Sequence, residues 1–67
     1  MRLIIDLGDR TVEEQHPSEA AARAHLLIVL NSHESRGHRV NRRTQGDVEP
    51  RYVVQTPEGS LQYWLEQ

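Results

Sequence analysis

Residues 51–66, RYVVQTPEGSLQYWLE, read as two β-rich runs, Arg51 to Thr56 and Ser60 to Glu66, folded back on each other at Pro57-Glu58-Gly59. Pro57 fixes the φ that suits the second position of a type I turn, and Gly59 accepts the left-handed conformation that closes it. With Thr56 set opposite Ser60, Tyr52 faces Trp64, Val53 faces Tyr63, Val54 faces Gln62 and Gln55 faces Leu61. Side chains alternate across a strand, so one face of the ribbon shows Tyr52, Val54 and Trp64, the other Val53, Leu61, Tyr63 and Leu65. Both faces are apolar. A single helix covers only one face of a small sheet, which leaves the other near the surface.

Outward from this hairpin, Arg2 to Leu7 alternates as a strand, and Gly8-Asp9 supplies a two-residue turn into Arg10 to Gln15. That second run has one β-branched apolar residue, Val12, and is expected as an edge strand or a loop. His16-Pro17-Ser18-Glu19 reads as a helix start, with Pro17 at the first helical position and Glu19 reaching back to the cap. Ala20, Ala24, Leu27 and Ile28 share one helical face, with Leu30 at its margin. Leu26 to Leu30 is apolar all round and would also suit a buried strand. The alanine lead-in runs into it without a turn signal, however, and Gly37 is placed to end a helix. Ser35 to Glu49 has little apolar content beyond Val40 and Val48, so a long arginine-rich loop is expected at about residues 36–49.

These elements predict an α+β fold, a small antiparallel sheet of three or four strands packed on one helix in the order β-β-α-β-β or β-α-β-β. At 67 residues the chain is one domain, 1–67, near the lower limit for a self-sufficient core. With no cysteine, neither a disulfide nor a thiolate metal site can add to that core, so association is the expected supplement. No apolar run reaches the roughly 18 residues of a membrane span, and Asp6 comes too early for the apolar region of a signal peptide. A cytoplasmic protein that avoids the membrane is the expectation.

Net charge is −2, unevenly distributed. Residues 1–34 hold three Arg against six acids, residues 35–46 four Arg and no acid, and residues 47–67 one Arg against four acids. The basic island Arg36, Arg39, Arg42 and Arg43 could take phosphates in bidentate fashion or face an acidic partner. Alternatively, these arginines pair with the flanking acids and keep a loop solvated. Overall acidity argues against a primary duplex-DNA role. Single-stranded RNA stays open, because exposed sheet aromatics beside arginines can stack unpaired bases.

Catalytic groupings are absent from the pattern. No glycine-framed nucleophile elbow and no phosphate-cradling loop is present. His33 and His38 are five apart, about 140° around a helix, rather than at the four-residue spacing of a zinc helix. His16 and His25 have no neighbouring ligands at useful spacing. No enzyme activity, metal or other cofactor is therefore expected.

The leading expectation is a protein-binding domain using Tyr52, Val54 and Trp64, extended by Ile4, to occlude a surface on a larger protein or nucleoprotein partner. Aromatics and arginine are the residues most enriched at interface hot spots. Small cysteine-free domains of this type are common among phage and mobile-element inhibitors, anti-CRISPR proteins included, and the assignment to that class is by analogy. A nucleic-acid-binding module and a structural homodimer are the other two readings.

Overall fold

A computed structural model describes residues 1–46 and 48–67. Within them five strands and one helix follow the order β1 (Arg2–Asp6), β2 (Thr11–Gln15), α1 (Glu19–Ser35), β3 (Arg39–Arg43), β4 (Arg51–Thr56) and β5 (Gly59–Glu66). The class is α+β, and the antiparallel sheet has five strands instead of three or four, in the spatial order β2-β1-β5-β4-β3. Three consecutive strands follow the helix, giving β-β-α-β-β-β. β5, the last of the five strands in sequence, is central in the sheet, between β1 and β4.

The additional strand is β3, which lies inside the span expected to be a loop. Arg39-Val40-Asn41-Arg42-Arg43 carries one apolar residue, Val40, which pairs with Val54 and packs against the core. An edge strand needs little more, since only one of its sides is hydrogen-bonded and charge on it discourages further pairing. The loop of the region shrinks to the stretch after Arg43, and Asp47 within it lies outside the described residues.

Each hairpin register is set locally. Leu7 N–H donates to the Arg10 carbonyl at 2.9 Å with Gly8 at φ 96°, so Gly8-Asp9 is the two-residue turn expected, and Asp6 pairs with Thr11. In the C-terminal hairpin Thr56 pairs with Gly59, not Ser60. The Thr56 hydroxyl accepts from Glu58 N–H at 3.2 Å and donates to the Gly59 carbonyl at 2.8 Å, tying the turn into four residues. Gly59 takes a positive φ of 138°. The pairing consequently becomes Tyr52 with Tyr63, Val53 with Gln62 and Val54 with Leu61. A one-residue slip exchanges the faces of one strand relative to the other. Tyr52 and Val54 thus join Leu61, Tyr63 and Leu65 on one side, and Trp64 stands on the other.

Ser18 caps the helix, accepting from Ala21 N–H at 3.1 Å, so Pro17 precedes the cap and does not occupy the first turn. The other end closes on Gly37 at φ 82°, with Gly37 N–H on the Glu34 carbonyl and His38 N–H on that of His33. That pair of bonds is a Schellman closure. The buried helical stripe is Ala22, Leu26, Leu30 and His33, while Leu27 and Ile28 are 60% and 65% exposed. This lies nearly opposite the face drawn through Ala20, Ala24, Leu27 and Ile28. Leu26 to Leu30 is apolar all round and selects no face. The stripe covers Leu3, Val54, Tyr63 and Leu65, the centre of the core.

Candidate interaction surface

The helix covers one side of the sheet, and the opposite side carries the alternate residues of every strand. On β5, its middle strand, Gln62, Trp64 and Glu66 point to this open face, flanked by Arg2, Ile4 and Asp6 of β1 and by Arg51, Val53 and Gln55 of β4. Arg39, Asn41 and Arg43 of β3 extend it to the sheet edge. Its apolar content is an island of three residues. Ile4 is only 2% exposed, closed over by its register partners Trp64 and Glu13, and Val53 is buried next to Gln62.

Trp64 is half-buried at the centre. The Arg51 guanidinium lies 3.9 Å above its ring centroid, in the geometry of a cation–π pair. The indole N–H donates to Glu66 Oε2 at 3.0 Å. Beside the indole opens a 380 Å³ cleft bounded by Val48, Glu49, Arg51 and Glu66 among others, with Val48 66% exposed.

The two halves of the face differ in charge. Towards β2, Arg2 pairs with Glu13 at 2.7 Å and approaches Glu66 at 3.6 Å, and Asp6 adds a further acid. Towards β3, Arg39, Arg43 and Arg51 stand among Asn41, Gln55 and Ser60, and none of the three forms an ion pair with a described residue. Arg43 and Arg51 are register partners.

The residues singled out from sequence divide accordingly. Trp64 and Ile4 are register partners on the open face, but Ile4 is buried and, unlike Trp64, offers no exposed contact surface. Val54 is fully buried under the helix and cannot touch a partner. Tyr52 is half-buried on the helix side, lining a 220 Å³ cleft with Arg23, Leu26, Leu27 and Leu30. The expected Tyr52/Trp64 pair therefore does not exist. The basic island also separates: Arg39 and Arg43 lie on the open face, Arg42 on the other, and Arg36 folds back on the helix end, donating to the Ser32 hydroxyl at 2.9 Å. Arg51 joins Arg39 and Arg43, a partnership the linear charge blocks conceal.

Two histidine groupings also went unseen in the sequence. His33 Nδ1 lies 2.9 Å from His38 Nδ1, and His33 Nε2 lies 2.9 Å from the Tyr63 hydroxyl. The reversal at Gly37 brings His38 back over the helix end, which a helical projection cannot anticipate. Burial first, then Arg36 and His38, pushes the His33 pKa below 6.5, and burial raises that of Tyr63. A neutral imidazole donates through one nitrogen and accepts through the other, so these three groups form a directional chain. At the other end of the sheet, Glu14, His16 and His25 converge. His25 lies nine residues after His16 along the chain, and only the tertiary approach of α1 to the Glu14 side chain brings the two histidines together on one carboxylate. No family, curated protein or solved structure matches this chain.

Proposed function

We propose that the chain is a non-enzymatic protein-binding domain that docks through the open face of its sheet and occludes a surface on a larger partner. The supporting observation is Trp64: a half-buried indole at the centre of an uncovered sheet, roofed by Arg51 and bordered by polar side chains. Buried aromatic and arginine anchors inside a polar rim are the usual composition of an interface hot spot. Arg39, Arg43 and Arg51 on one half call for an acidic patch on the partner. Small size and this charge asymmetry suit an inhibitor of a nucleic-acid-binding machine, of the phage or anti-CRISPR kind, by analogy of class.

Two features favour a protein over a single-stranded nucleic acid. Arg51 already occupies an indole face that a base would need for stacking. Asp6, Glu13 and Glu66 share the surface and oppose a continuous phosphate path.

The test begins with affinity capture from the native host and identification of the partner by mass spectrometry, followed by affinity measurement with purified components. Trp64→Ala is expected to weaken binding about thirtyfold or more, the equivalent of about 2 kcal/mol. Arg39→Ala with Arg43→Ala should weaken it less and flatten its salt dependence. Wild-type affinity for unstructured RNA that falls with salt and is lost in the double arginine variant would replace this reading with the nucleic-acid one. A dimer in sedimentation that Trp64→Ala dissolves would replace it with self-association.

A further inference from the structure

The geometry points to a divalent metal site, of the zinc class, formed by Glu14, His16 and His25. Glu14 is on edge strand β2 and turns toward the helix side, because it pairs with core residue Leu3. His16 follows the strand directly and is held by its own N–H on the Met1 carbonyl at 2.9 Å. His25 projects from the second turn of α1.

The three side chains present their donor atoms to a common point. Glu14 Oε1 is 3.4 Å from His16 Nε2 and 3.2 Å from His25 Nε2, and all three donor atoms lie within 4.8 Å of one another. Bonds of about 2.0 Å directed to tetrahedral corners put neighbouring ligand atoms about 3.3 Å apart. The two separations to Glu14 match that edge, and the two imidazole nitrogens lie within 4.8 Å of each other, within reach of one ion. Both imidazoles turn the same nitrogen, Nε2, towards the site. The three groups are partly exposed, with side-chain exposures of 39%, 17% and 41%, so an ion can enter and a further coordination position faces solvent.

Chemistry narrows the ion. Two imidazoles and a carboxylate suit zinc and its neighbours, cobalt and nickel, better than calcium or magnesium, which prefer oxygen alone. With no cysteine in the chain, thiolate sites do not compete. Among the described residues this is the one group of three such ligands that converges. A bound ion would clamp β2, hydrogen-bonded on one side only, to the helix through the His25 side chain.

Calorimetric titration of the 67-residue chain with zinc chloride at neutral pH tests the proposal. One ion per chain is expected, and melting temperature should rise by about 10 °C or more at a hundredfold excess of free zinc over Kd. His25→Ala and Glu14→Gln should each lower affinity at least tenfold, with His38→Ala unchanged. Cobalt should give a d–d absorption band that disappears in the same two variants. Circular dichroism identifies any variant that has lost its fold; Glu14→Gln, on an exposed edge strand, retains the test if His25→Ala does so. No stoichiometric binding by wild type, or binding that survives Glu14→Gln and falls with His38→Ala, would overturn the assignment.

Discussion

On the helix side of the sheet, Leu3, Val54, Tyr63 and Leu65 lie buried beneath Ala22, Leu26 and Leu30, whereas on the other side Ile4, Val53 and Trp64 stand among arginine, glutamine and glutamate. Both sides exclude water from aliphatic groups, by different means. The first uses a second layer of backbone, fixed by caps at Ser18 and Gly37. The second uses only side chains, chiefly the indole and the arginine above it. A layer closed by backbone supports the fold, while one closed by side chains can be remodelled by a partner. This difference is why function is assigned to the open face.

The largest test of the contrast is Leu3→Ala. Leu3 is fully buried, and truncation of such a leucine costs about 2–5 kcal/mol. A 67-residue domain has a total stability of roughly 3–10 kcal/mol, so this variant should be barely folded in urea titration. Trp64→Ala should cost less than half as much. Equal losses would make the open side a second core and remove the premise of the docking surface.

A smaller effect sharpens the contrast at the helix end. His33 is buried neutral, with its folded pKa below the 6.5 of an unfolded histidine. The unfolded chain therefore takes up its proton first as pH falls. The stability from the neutral ring is present in full above pH 6.5 and is lost as pH drops from there through the folded value. One proton gives a slope of at most about 1.4 kcal/mol per pH unit. His33→Gln, compared with wild type by urea titration at several pH values, should flatten that slope. Identical profiles would mean that the closed side tolerates a charge at its margin.

How much of this was legible depended on whether a local group fixed the geometry. The turn at Gly8-Asp9, the helix through Leu26 to Leu30 and the α+β class follow from neighbours in the chain. The C-terminal register failed because it rests on the Thr56 hydroxyl bridging Glu58 and Gly59, which leaves a two-residue turn where the pairing with Ser60 would leave three, and both loop lengths are common in hairpins. That single slip moved Tyr52 and Val54 to the helix side while leaving Trp64 and Ile4 on the open face. β3 escaped because an edge strand needs just one apolar residue, and the helix face because an all-round apolar run has no phase. Both histidine groupings depend on tertiary approach, through the reversal at Gly37 and the approach of His25 on α1 to Glu14 on β2, and no spacing rule encodes them.

The smallest expected effect examines the roof of the open face itself. An exposed cation–π pair contributes about 0.5–1 kcal/mol, so Arg51→Ala should shift stability by no more than that, near the resolution of a urea midpoint. Fluorescence gives the sharper measurement, because Trp64 is the sole tryptophan. Removing the guanidinium admits water to the indole face, and emission should move to longer wavelength with stability almost unchanged. Arg51→Lys keeps the charge but lacks the planar group that stacks, and should resemble Arg51→Ala more than wild type. If lysine restores the wild-type spectrum, charge alone holds the cation in place, and the face is a loose electrostatic surface without a packed aromatic anchor. An unchanged spectrum in Arg51→Ala would mean that the indole is protected by the sheet beneath it, and the distinction between a side closed by backbone and one closed by side chains would lose its clearest example.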